Sequence, residues 1–192
     1  DALKFVYVGR LACEKNLHLL ARAFRKFDHA GRAVHLIFIG DGPARKELEA
    51  ELYGLPVTFT GFLHGEALSV ALASCDVKVF PSTTDTWGNA PLEAQASGLP
   101  VIVTDVGGPA ELLIDGETGL IVRGNDERAL YYAMLQLTEE LARKRMGQAA
   151  RRFALDNRVD EPFSAILDSE RHRRTLREKE KAAKEKGFDQ VL

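Results

Sequence analysis

Short apolar runs alternate with amphipathic stretches along most of this 192-residue chain. The runs are Lys4–Val8, Val34–Ile39, Val57–Thr60, Val77–Phe80, Val101–Thr104 and Gly119–Val122. They are rich in Val, Ile and Phe and are bounded by Gly, Pro or polar residues. Such runs read as strands buried on both faces. Helices are expected between them, over Glu14–Asp28, Pro43–Tyr53, Gly65–Ser74, Asn89–Ser97, Pro109–Leu113 and Asp126–Leu137. Strands alternating with helices imply an α/β fold, a parallel sheet with helices on both faces and right-handed crossovers. Local punctuation agrees. Pro43 and Pro109 suit first-turn positions, Asn125 or Asp126 caps the following helix, and Asp115-Gly116 reads as a tight turn. Gly107-Gly108 has two readings, a packed turn or a close approach of backbone to a ligand.

Ligands of parallel sheets collect beyond the carboxyl ends of the strands. The segments that follow the strands are therefore where chemistry is sought. After Val77–Phe80 the chain reads PSTTDTWGNAPLEAQASGLPV, from Pro81 to Val101. Asp85 precedes the expected helix and Glu93 lies about one turn inside it. A helix start leaves its first N–H groups unpaired, and its dipole favours an anion there. Carboxylates beside a phosphate would repel it, so Asp85 and Glu93 read as acceptors for ligand hydroxyls. The plain alternatives are an Asx turn at Asp85 and a solvated helix face at Glu93. After Lys4–Val8, Arg10 and Lys15 follow Gly9 and can neutralise a diphosphate, Arg through its planar fork and Lys as a point charge. Taken alone, they are ordinary surface charges.

Composition narrows the field. The net charge is −2, which gives no electrostatic footprint for nucleic acid. Cys13 and Cys75 are the two cysteines, without metal spacing, and read as free thiols. Cys13 reads as a buried or half-buried bystander. The five histidines form no close cluster, and no Asp-x-Asp pair is present to hold a divalent ion. No apolar run reaches the roughly 20 residues of a membrane span. The chain opens at Asp1, directly before a strand, and reads as a piece of a longer protein. From Glu139 to Arg158 a polar helix is expected, with Leu141, Met146, Ala149, Ala150 and Phe153 as its packing stripe. The boundaries drawn are 1–160 for the α/β domain and 161–192 for a charged helical tail, which reads as a solvated helix.

The motifs VGRLACEKN, FIGDGPARKEL, FTGFL, PSTTDTWGNAPLEAQASGLPV, DVGGPAEL and DGETGLIV occur in one order from Phe5 to Leu137. In that order they resemble the C-terminal, donor-binding half of the family 4, or group 1, retaining glycosyltransferases. Three positions depart from the family pattern. Asp85 stands for the usual Glu, Trp87 for the commoner Phe, and Asn16 for Gly.

The resemblance implies one Rossmann-like half of a GT-B fold. The implied activity is transfer of a hexose from a nucleoside-diphosphate sugar, uridine or guanosine, to a hydroxyl acceptor. It implies that Arg10 and Lys15 offset leaving-group charge with no metal, and that Asp85 contacts the transferred sugar. Thr86, Trp87, Gly88, Asn89 and Ala90 then meet the sugar and outer phosphate, largely through backbone N–H groups, and Glu93 meets the ribose. Gly61, Phe62 and Leu63 lie beside the base, and Gly42 lets its loop pass near the nucleotide. The acceptor-binding N-terminal domain would lie outside this chain, which alone is expected to be inactive. A cytoplasmic protein is expected, in which the full-length form has room to work at the inner face of a membrane. Rival readings are a binding module that has lost transfer, and a related epimerase or phosphorylase.

Overall fold

The computed structural model describes residues 2–27, 31–85 and 89–156. The expected helix end at Asp28, the loop residues Thr86, Trp87 and Gly88, the Asn89 side chain and the tail 161–192 lie outside the described residues. The chain divides into a compact unit, Asp1–Ala154, and a second, Leu155–Leu192.

Among the described residues, six strands form one parallel sheet in the order β3-β2-β1-β4-β5-β6. They are β1 (Leu3–Val8), β2 (Val34–Ile39), β3 (Val57–Gly61), β4 (Val77–Phe80), β5 (Val101–Thr104) and β6 (Gly119–Val122). The helices are α1 (Leu17–Arg25), α2 (Arg45–Glu51), α3 (Gly65–Ala73), α4 (Asn89–Ala96), α5 (Glu127–Gln136) and α6 (Glu140–Asp156). This is the Rossmann-like α/β architecture expected.

Period-2 alternation splits the strands between two cores. Phe5, Tyr7, Leu36, Phe38, Val77, Val79 and Ile102 face one side, where α1, α2 and α5 cover them. Val6, Phe80, Val101 and Val103 face the other, with Leu72 of α3 and Ala94 of α4 above them. Short continuous apolar runs follow from this double burial.

Strand order reverses direction between β1 and β4. Ligands of such sheets collect beyond the carboxyl ends of the strands at a switch point of this kind. The β1–β4 ladder joins Phe5 to Val77 and Val6 to Lys78, whereas the β1–β2 ladder runs from Leu3–Val34 to Val8–Ile39.

Several expected elements differ. The helix expected from Glu14 begins instead as a 3₁₀ turn, Cys13–Lys15, and α1 starts at Leu17. Asn16 between them has φ 57°, a left-handed conformation that ends one helix and starts the next. Asn tolerates this conformation better than other non-glycine residues. Pro109–Leu113 is likewise a 3₁₀ turn, Gly108–Leu112, rather than an α-helix. On α6, Met146, Ala149 and Ala150 are buried and Phe153 is half-buried, but Leu141 is 81% exposed and leaves the expected stripe. Gly147 takes its place in the packing: a Cβ there would sit 2.4 Å from the Gly98 carbonyl oxygen.

Candidate functional site

The loop after β1 and the loop after β4 face each other across the switch point. Asn16 makes the loop turn sharply, which brings Lys15 back over the switch point. Its Nζ donates to Asp85 Oδ1 at 2.6 Å, with both side chains largely shielded from solvent. Thr84 Oγ1 donates to the Glu14 carbonyl at 3.1 Å, and Asn16 Nδ2 to the Pro81 carbonyl at 3.4 Å. Asn16 Nδ2 also reaches Asn125 Oδ1 at 2.9 Å, tying in the loop after β6. Two residues from opposite ends of the sequence motifs, Lys15 and Asp85, are thus placed in contact.

The other carboxylate oxygen, Asp85 Oδ2, is buried and has no hydrogen-bond partner among the described residues. A buried acceptor without a donor is costly, of the order of 1–3 kcal/mol. A ligand hydroxyl placed there would satisfy it.

Arg10 sits on the same loop, exposed, and makes no ion pair among the described residues. Its carbonyl accepts from the Tyr7 hydroxyl at 3.0 Å. Tyr7 is fully buried. Burial first, then the Asp85 and Glu14 carboxylates, raise its pKa well above the usual phenol value, so it stays a donor. It fixes the backbone from which Arg10 projects.

The helix that follows the Asp85 loop, α4, carries Ala90, half-buried, and Glu93, exposed, about one turn inside. Gly61 ends β3 and Phe62 and Leu63 follow it, at the same end of the sheet but separated from the β1–β4 switch point by β2. The Gly61 carbonyl accepts from the Gly40 N–H at 2.8 Å. Phe62 is 62% exposed and stacks on the His64 ring at 6.3 Å. Leu63 packs against the second core.

Two glycines are packed against protein backbone. Gly42 abuts the loop after β1: a Cβ there would lie 2.3 Å from the Leu11 carbonyl oxygen, so it packs one loop on another. Gly107, at φ 91°, lies against the Asp85 carbonyl, and the Gly108 N–H donates to that carbonyl at 3.1 Å. The glycine pair therefore braces the Asp85 loop. Cys13 is exposed, not buried, because the 3₁₀ turn carries it to the outside.

Sequence patterning missed Lys78. It stands in the middle of β4 between its register partners Val6 and Val101 and is fully buried. Its Nζ donates to the Ala90 carbonyl at 2.7 Å. Burial lowers its pKa to about 8, against the opposing pull of the Glu93 carboxylate. The signal was a lone cation in an apolar run, because a charge buried on both faces of a sheet needs a partner. Among the described residues no group of His, Cys, Asp and Glu side chains is placed to hold a metal ion. No described helix is long and apolar enough to cross a membrane.

The site's parts lie on loops that a family comparison can address. Residues 2–140 match the family model described as "Glycosyl transferases group 1". The chain belongs to the group 1 glycosyltransferases.

This group 1 domain is 39% identical over 150 residues to the sulfoquinovosyl transferase SQD2 of Arabidopsis thaliana, covering 76% of the chain and 29% of that protein. It is 41% identical over 150 residues to a GDP-mannose-dependent alpha-mannosyltransferase of Mycolicibacterium smegmatis, covering 78% of the chain and 38% of the relative. The chain therefore spans between 29% and 38% of the length of these relatives. Among solved structures, sucrose-phosphate synthase of Thermosynechococcus elongatus superposes with a TM-score of 0.76 at 27% identity, over 92% of this chain and 46% of that one. The sheet is accordingly one Rossmann-like half of the GT-B glycosyltransferase architecture.

Proposed function

We propose that this group 1 chain is the nucleotide-sugar-binding half of a retaining hexosyltransferase. The observation that carries the reading is the Lys15–Asp85 contact at 2.6 Å, which joins the loops after β1 and β4 at the switch point. A cation and a hydroxyl acceptor side by side suit a ligand with a diphosphate at one end and a sugar at the other. The name of the mannosyltransferase relative, dependent on GDP-mannose, supports a donor of this class.

In this reading Arg10 and Lys15 stabilise the charge that develops on the diphosphate as the sugar C1–O bond breaks. The same carbon forms a bond to the acceptor oxygen, and the acceptor's hydroxyl proton passes to the departing diphosphate oxygen. Asp85 Oδ2 takes a hydrogen bond from the transferred sugar. Thr86, Trp87, Gly88, Asn89 and Ala90 complete the sugar and phosphate contacts, and Glu93 accepts from the ribose. Gly61, Phe62 and Leu63 line the base, where the exposed Phe62 ring offers a stacking face. No metal takes part. The acceptor pocket belongs to an N-terminal domain of the same full-length protein, so the isolated chain binds donor without transferring sugar. The α/β domain is taken to run to residue 160, with the charged tail beyond it. The full-length protein works in the cytoplasm, where its acceptor can sit at the inner membrane face.

The test is a thermal-shift screen of UDP, GDP and their sugar conjugates, followed by calorimetry on the hits. A ligand that binds only the folded state stabilises it by about 2.7 kcal/mol at a hundredfold excess over Kd. At least one nucleotide should raise Tm by several degrees. Glu93→Ala should keep its fold, seen by circular dichroism, and weaken nucleotide affinity. No stabilisation by any of these ligands, or full affinity in Glu93→Ala, would refute the assignment.

A further inference from the structure

A diphosphate site that contains two carboxylates raises an electrostatic difficulty, and the structure resolves half of it openly. Asp85 is neutralised by Lys15. Glu93 stands on the first part of α4, the helix that follows the Asp85 loop in the chain.

Beneath it lies Lys78. This side chain is on the face of β4 shared with Phe80, under α4, in an apolar core formed by Val6, Val101 and their neighbours. Its bond to the Ala90 carbonyl does not explain its presence. In an α-helix that carbonyl already has the N–H of the residue four positions on, here Ala94. An apolar side chain of similar length would fill the core as well, and a buried charge generally costs more than it returns in stability. A cation under a helix N-terminus also opposes the helix dipole. Two costs at one position need a compensating role. Lys78 Nζ is held at 2.7 Å by the carbonyl of Ala90, three residues before Glu93 on α4, and the Glu93 carboxylate favours its charged form, while its neighbours on β1 and β5 are Val6 and Val101.

We infer that Lys78 is a positioning residue of this site: it pins the first turn of α4 from below and is the buried counter-charge that lets Glu93 stand beside an anionic ligand. The site thus carries one lysine for each carboxylate, Lys15 for Asp85 and Lys78 for Glu93. Arg10, exposed and without an ion pair among the described residues, then leaves a net positive charge beside Lys15 for the diphosphate. The ligand's identity rests on the donor-binding reading above. The coupling of Lys78 to Glu93 does not.

The test therefore has two readouts. First, the lysine Cε signals are followed by NMR against pH in the wild type and in Glu93→Gln. One lysine, assigned by its loss in Lys78→Met, should titrate near 8 in the wild type. It should titrate lower in Glu93→Gln, where the carboxylate that favours its charged form is gone. An unchanged titration overturns the proposal. Second, GDP and UDP affinities are measured by calorimetry for the wild type, Lys78→Met, Glu93→Gln and the double variant. Lys78→Met should weaken binding by about tenfold, a usual size for coupled groups, and by clearly less when Glu93 is already Gln. Equal losses in both backgrounds also overturn it, because they would reflect packing alone. A wild type that binds neither nucleotide sinks the donor-binding reading, while the NMR titration still decides the Lys78–Glu93 coupling.

Discussion

Cys13 and Cys75 differ in one physical respect that a reagent can read. Cys13 is exposed, whereas Cys75 is half-buried and donates from Sγ to the Ala71 carbonyl at 3.1 Å. Burial pushes the Cys75 thiol up to about 11. The thiolate is the nucleophile. At pH 8 iodoacetamide should therefore label Cys13 and spare Cys75, giving one adduct per native chain by mass spectrometry. Equal labelling of both would contradict the packing under α3. The position of Cys13 was misread from sequence because a helix was expected across Glu14. Asn16 was noted as a departure from Gly, and the left-handed backbone explains both the departure and the broken helix. Lys78 was illegible for a different reason. The run Val77–Phe80 reads as a strand buried on both faces whatever its second residue is, so the reading of the strand gives Lys78 no role of its own, and β4 is buried at every position.

Elements were more legible than side chains. Four of the six strands, β2, β4, β5 and β6, have the bounds expected of their apolar runs, because each run is bracketed by residues that cannot continue a doubly buried strand. Helix ends were less so, since they depend on capping. Asp126 illustrates the point: its side chain accepts from the Ala129 N–H and starts α5 one residue later than the expected span. The surface of α6 was least legible, because its contact is made through an absence of side chain. Gly147 lets α6 lie on the turn at Gly98. Gly→Ala within a helix ordinarily stabilises by roughly 0.5–1 kcal/mol. Here Gly147→Ala should destabilise by about 1–3 kcal/mol, the scale of an overpacked core, and lower the urea midpoint. A raised midpoint would show that α6 does not press on Gly98.

At the scale of the whole molecule, pH dependence of stability follows from its buried titrating groups. Lys78 has a folded pKa of about 8, below its ordinary 10.5. Between those values the unfolded chain holds a proton that the folded chain does not, so this term raises stability as pH rises. Its full size is about 3 kcal/mol, complete only above the unfolded value. Cys75, raised from 9.0, and Tyr7, raised from 10.0, act in the opposite sense and take effect above those ordinary values. The window from pH 8 to 9 is therefore the clean one. Wild-type protein should gain stability across it in urea denaturation, and Lys78→Met should not. A wild-type curve as flat as that of Lys78→Met would mean that the lysine is solvated.

The parallel α/β class was legible from strand–helix alternation, whereas the strand order with its reversal between β1 and β4 belongs to the structure. So does the loops' mutual fit. Gly40 and Gly42 nestle against the carbonyls of Gly9 and Leu11, at built Cβ distances of 2.0 and 2.3 Å. An engineer varying this end of the sheet should leave that glycine pair untouched, because a single methyl there would prise neighbouring loops apart. Phe62, turned outward and bearing no such obligation, is where variation is cheap.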